Sequence, residues 1–287
     1  MITYNPKDWF TLIIQFHKSD TFRRLFFSLI SIGIYATIIV YFEVHYFSFN
    51  NKNPTVMHSI LGFVLSMLLV FRTNTAYDRW WEGRKAWGSM VNNARNLSLK
   101  LSAIIIKQED RLLLKNLITN YVYSLKNHLR NVYKQDEFIL TDALSLSNFS
   151  EANHKPNIIA KAIFAKINEL HINKDLSNEH LYFLNEELKS FTDNCGICER
   201  IRNTPIPYSY NIFLKKMIFL YCMSLPIFFG GEFGYATVSI TIIVLYVFAS
   251  LELIAEEIED PFGEDENDLP LDDICKRIKI NLNEILD

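Results

Sequence analysis

Residues 68–88, LLVFRTNTAYDRWWEGRKAWG, change from apolar to polar along the chain. A core helix of a globular protein alternates the two kinds of residue around its circumference. A change along one axis instead suits a helix that leaves a bilayer and enters water. Three further apolar runs accompany this one, which begins at residue 57. The run 26–47 is long enough, at about 1.5 Å per residue, to cover a hydrocarbon core of about 30 Å. The run 57–71 is shorter and crosses only if its helix continues into the polar stretch. Runs 212–229 and 235–253 are separated by GGEFG, too short to hold a domain, and so form a helical hairpin. Those glycines are read as a tight turn between spans, not as a phosphate loop.

Charge within these runs falls near their ends: Glu43, Lys215 and Lys216, and Glu252. A central charge costs about 2.5–3.5 kcal/mol on the insertion scale, whereas one near an end can snorkel to the headgroups. Basic residues then set the orientation. Lys7, Lys18, Arg23 and Arg24 precede the first span, Arg72, Arg79, Arg84 and Lys85 follow the second, and Lys215 and Lys216 open the third. The first short connection has only Lys52 and the second has no basic residue. Positive-inside bias therefore predicts a multi-pass protein of the cell (inner) membrane with cytoplasmic N- and C-termini. The first apolar run is too long for a signal peptide and is expected to be retained.

Between the second and third spans the pattern is helical. In ARNLSLKLSAIIIKQEDRLLLKNLITNYVYSLKNHLR apolar residues recur every three or four positions, and no alternating strand pattern of useful length appears. The expected architecture is all-α: an N-terminal segment 1–25, two spans within 26–71, a helical cytoplasmic domain 72–211, two spans within 212–255, and an acidic C-terminal segment 256–287. A mean hydropathy of +0.07 fits such a mixture of spans and polar domain. The net charge of −3 and the lack of a basic stripe argue against nucleic acid.

Enzyme motifs are missing: there is no GxSxG, P-loop, HExxH or strand-linked GxGxxG. Cys195 and Cys198 form a lone CxxC, read as an ordinary helix start in a reducing compartment. His154, His171 and His180 match no metal-ligand spacing and are read as surface histidines. The second run is more informative. Phe63, Met67 and Phe71 fall at i, i+4 and i+8, one stripe on a helix, while Gly62 and Ser66 permit close helix contact on another side. Copies of this helix around an axis would make an apolar constriction, opening into a wet vestibule beside Asn74, Asp78, Arg79 and Glu82. Such constrictions gate ions by dewetting. Trp80, Trp81 and Trp87 are read as packing or interface residues. The acidic stretch EEIEDPFGEDENDLPLDDIC supplies enough carboxylates for calcium, which takes about six to eight oxygens, but not in EF-hand order.

FRTNTAYDRWWEGRKAWG, ICERIRNTPIPYSY and IEDPFGEDENDLPLDDIC together resemble the bestrophin family in its bacterial branch. The resemblance covers nearly the whole chain. It implies a pentameric ion channel passing small monovalent ions, with one axial pore, four membrane-associated helical segments per subunit and a helical cytoplasmic domain. It places the second span at the pore neck, with Phe63, Met67 and Phe71 as its rings, and a cytoplasmic aperture at Ile206. Animal members hold calcium at positions matching Glu257, Asp260, Asp265 and Asp268, together with backbone near the N-terminus. Here Glu266-Asn267 interrupts the aspartate run and Asp260 replaces an asparagine, so no cofactor is expected. A secondary transporter, or a membrane-anchored enzyme or signalling protein, is the competing reading. The first should show two related halves and the second a catalytic cluster.

Overall fold

The computed structural model describes residues 20–46, 54–139, 149 and 152–287. Lys7, Lys18 and Lys52 lie outside them. All regular elements among the described residues are helical: α1 (Asp20–His45), α2 (Pro54–Ile104), α3 (Gln108–Leu129), a 3₁₀ turn (Gln135–Glu137), α4 (Lys155–Ile172), α5 (Asn178–Asn203), α6 (Tyr208–Phe233), α7 (Ala236–Glu259) and α8 (Leu271–Leu286). The expected all-α class and four spans are borne out. Four helical stretches, Thr21–His45, Thr55–Ile104, Tyr208–Phe233 and Ala236–Glu259, are long and apolar enough to cross a membrane.

The chain divides into two compact units. Among the described residues, one comprises those within 20–79 and 205–259, the other those within 80–139, 149, 152–204 and 260–287. In the first, α1, α6 and α7 pack on one another. The α6–α7 hairpin turns at Gly234, whose φ of 53° suits a residue without a side chain. Gly230 and Gly231, expected in the turn, lie instead within α6. A side chain at either position would meet the carboxylate of Glu43 from α1, so these glycines make room for a buried acid. Glu43 is therefore no snorkelling end charge, and neither is Glu252; both are buried. Lys215 does behave as expected, exposed and paired with Glu256 at 2.9 Å.

The second unit folds around α3, of whose 22 residues Leu114, Leu117, Ile118, Tyr121 and Leu125 are among the buried majority. They pack against Trp87, Leu97 and Leu101 of α2, Ile159 and Ile163 of α4, Leu188 and Phe191 of α5, and Ile278 and Leu282 of α8. Lys126, fully buried, reaches Glu137 at 2.6 Å and Asp272 at 2.8 Å. Burial works against the Asp272 carboxylate, but hydrogen bonds from Lys126 and Arg130 prevail and hold its pKa at about 2.

The N-terminus of α5 is closed by Ser177, whose hydroxyl accepts from His180 N–H while the His180 ring accepts from Ser177 N–H. Cys195 and Cys198 are not at a helix start, as expected from sequence, but inside α5 in the buried core. Burial pushes the Cys195 thiol up to about 12 and raises that of Cys198 as well. Both are therefore protonated, unreactive packing groups.

Candidate pore-lining helix and the charge cluster at its end

In the first half of α2 the buried residues are His58, Leu65, Leu69, Arg72 and Ala76, one seam spaced every three, four or seven positions. Leu65 and Leu69, each 1% exposed, pack against Leu214, Ile218 and Cys222 of α6. Phe63, Met67 and Phe71 point away from this seam and are 70%, 49% and 53% exposed on the single chain. The helix thus spends its small inner face on its own chain and turns three large apolar side chains outward. Gly62 lies under Tyr221, where an added Cβ would come within 2.7 Å of the phenol oxygen. Ser66 differs from expectation: it is exposed, and its hydroxyl donates back to Gly62 O at 2.8 Å instead of serving a close helix contact.

One residue past the stripe, Arg72 turns inward and is 1% exposed. Its Nη2 donates to Glu259 Oε2 at 2.7 Å, and its Nε stands 3.6 Å from Glu252 Oε2, close enough for ionic attraction but beyond a hydrogen bond. Glu259 uses its other oxygen to accept from the backbone N–H of Ile206 at 2.7 Å. Its carbonyl accepts from Arg79 Nε at 3.1 Å, two turns further along α2. Tyr210, just after the Ile206 segment, donates its hydroxyl to Leu68 O at 3.0 Å. One carboxylate on the last turn of α7 therefore ties the end of the apolar stripe to the segment 205–207. Glu259 was not singled out by sequence. It is 187 positions from Arg72, and no local pattern announces such a pair. Ile206 is placed differently from the stripe, because its side chain is buried and its neighbours Pro205 and Pro207 are the exposed ones.

The acidic stretch after α7 is ordered by its own backbone. Leu269 N donates to Pro261 O at 2.9 Å and Asp268 Oδ2 accepts from Asp265 N at 2.6 Å. Asp268 is buried against Gly263, and burial raises its pKa to about 6. Glu257 instead pairs with Arg24 at 3.1 Å, and Asp260 and Asp265 are exposed. Within the second unit Asp260, Asp265 and Asp268 do not bring three ligand atoms within 4.8 Å of one another. The N-terminal backbone that the family resemblance adds to such a site lies outside the described residues. The tryptophans have packing roles: Trp87 is buried in the core, and Trp80 donates its Nε1–H to Asn267 O at 3.0 Å.

The chain is similar to known proteins over nearly its whole length. A voltage-dependent anion channel-forming protein of Nostoc sp. is 35% identical, the alignment covering 99% of this chain and 94% of that one. A protein of the same description from Synechocystis sp. is 38% identical over 78% of this chain and 75% of its own. A crystal structure of a bacterial bestrophin homolog from Klebsiella pneumoniae superposes with a TM-score of 0.85 at 26% identity, covering 91% of this chain and 98% of that one. The family model for bacterial and fungal bestrophin proteins matches residues 1–284, and the chain belongs to that family.

Proposed function

We propose that this protein is an ion channel of the cell (inner) membrane that passes small monovalent anions through an axial pore formed by several copies of the chain, five in the arrangement the family fold favours. The termini face the cytoplasm in this reading, as the basic residues around the spans require. The observation that carries it is the outward stripe of Phe63, Met67 and Phe71 on a helix whose opposite seam is already filled by its own chain. Repeated around an axis, each side chain becomes a ring. An ion entering such a ring loses hydration that apolar groups do not replace, so the passage is dry unless it widens.

Glu259 supplies the link between neck and cytoplasmic side. It holds Arg72 and the Ile206 N–H with one carboxylate, so the end of the neck helix and the segment 205–207 move as one. We assign the second constriction, expected at Ile206, to that segment. The chain's curated relatives are named as anion channel-forming proteins, which favours anions over cations. No catalytic role is proposed. The test is reconstitution of the purified protein in planar bilayers under asymmetric NaCl. Unitary steps reversing near the chloride equilibrium potential are expected. Steps reversing near the sodium potential would overturn anion selection, and absence of unitary current would overturn the channel.

A further inference from the structure

Two histidines and a glutamate that play no part in the pore meet in the second unit. His128 comes from the last turn of α3, His154 is the N-cap of α4, and Glu199 lies near the end of α5. Glu199 Oε1 is 2.7 Å from His128 Nε2 and 2.7 Å from His154 Nε2. Among the described residues this is the one group of three His, Cys, Asp or Glu side chains whose ligand atoms all lie within 4.8 Å of one another. We propose that His128, His154 and Glu199 form a binding site for one divalent transition-metal ion of the zinc class.

The donor set favours such an ion. Two imidazole nitrogens and one carboxylate oxygen are the ligands of a zinc site that keeps a coordination position for water. Calcium and magnesium prefer all-oxygen surroundings. Each ligand is fixed by the element that bears it. The His128 carbonyl accepts from Arg202 Nη1 at 2.8 Å, which ties the end of α3 to α5. His154 is set by the start of α4, with Pro156 in the first turn. All three side chains are partly exposed, which gives an ion an entry path.

Without a metal the cluster is a hydrogen-bonded staple. The His154 Nδ1 accepts from Asn157 N–H at 3.2 Å, so its Nε2 carries the proton donated to Glu199. Metal binding moves that proton to Nδ1 and releases Asn157 N–H to water, the loss of one long capping bond. The two 2.7 Å separations to Glu199 then need to spread only to about 3.4 Å, the ligand–ligand distance set by tetrahedral metal–ligand bonds of about 2.1 Å. Side-chain rotation at the surface of three helix ends accommodates this. Sequence spacing hid the site, because the three ligands are contributed by separate helices, 71 positions apart for His128 and Glu199.

The test uses the full chain in detergent, freed of metal with a chelator and titrated with zinc by calorimetry and with cobalt by visible absorption. One ion per chain is expected, with a zinc-induced rise in melting temperature. His128→Asn and Glu199→Gln should each weaken zinc binding by more than about tenfold and abolish the rise. His171→Gln, on the other end of α4, should change neither. The cobalt complex should show ligand-field bands without thiolate charge transfer. Three results would overturn the proposal: no saturable zinc binding by the wild-type chain, undiminished binding by Glu199→Gln or His128→Asn, or thiolate absorption pointing to cysteines. If one variant fails to fold, the other decides.

Discussion

In the unit built on α3, α4, α5 and α8, the apolar residues point inward, and Trp87, Tyr121, Leu125, Phe191 and Ile278 share one core. In the unit built on α1, α6, α7 and the first half of α2, between 17% and 28% of each span's most apolar window is buried. What lies inside there is in good part polar: Glu43, His58, Arg72, Thr237, Thr241 and Glu252. The two units obey the same physics in different solvents. Where water surrounds a unit, burying apolar area drives packing. Where lipid surrounds it, leucine gains nothing from leaving the outside, and small residues, hydrogen bonds and ion pairs hold helices together. A further apolar stripe on the outside, at Phe63, Met67 and Phe71, is then free to serve an axis of assembled copies.

The contrast is sharpest at two buried cations. Arg72 is enclosed with Glu252 and Glu259, both themselves buried, whereas Lys126 reaches Glu137 and Asp272, which are partly open to water. Arg72→Met strands two carboxylates away from water and should cost about 3–5 kcal/mol. The check is loss of monodisperse protein on size exclusion in detergent, with partial recovery on adding Glu259→Gln. Lys126→Met leaves acids that can rehydrate and should cost less, about 2–3 kcal/mol, measured by thermal melts. Equal losses for the two variants would break the comparison.

A smaller effect distinguishes the acidic stretch. Asp268 has a folded pKa of about 6, raised above its ordinary 3.8 mainly by burial. Below about pH 4 the carboxyl is protonated in both folded and unfolded chains and carries no penalty. As pH rises from about 4 to 6, the unfolded chain gives up this proton while the buried carboxyl keeps it, so stability falls across that window and levels off above it. Asp268→Asn stays neutral and keeps an acceptor for Asp265 N–H. It should therefore be more stable than wild type by up to about 3 kcal/mol at pH 7.5, with the gap closing between pH 6 and 4. Melting curves across that range check the sign, and a gap that widens on acidification would contradict it.

The spans and the stripe were legible because each is written in local periodicity. Runs of apolar residues mark the helices, and the spacing of Phe63, Met67 and Phe71 places them on one face whatever the rest of the chain does. The polar interior was not legible. Arg72 and Glu259 meet only because α2 and α7 share one unit, and the pairing of Glu43 with Gly230 and Gly231 made a helix interior look like a turn. His154 is partly exposed, as a surface reading expects, but its partners come from α3 and α5 and no local pattern announces them. Local pattern reports which face is apolar. It does not report which distant group that face will meet.

Single-channel current through the neck variants, with matched protein incorporation, tests the central claim most directly. Phe63→Ala, Met67→Ala and Phe71→Ala should each raise conductance or open probability by widening and wetting the passage. The triple variant should gain most, because one remaining ring still keeps the neck dry. Leu65→Ala and Leu69→Ala, on the seam packed against Leu214, Ile218 and Cys222, should lower stability and leave unitary current unchanged. Wild-type currents from the stripe variants, with larger currents from Leu65→Ala or Leu69→Ala, would mean that the opposite face of α2 lines the pore.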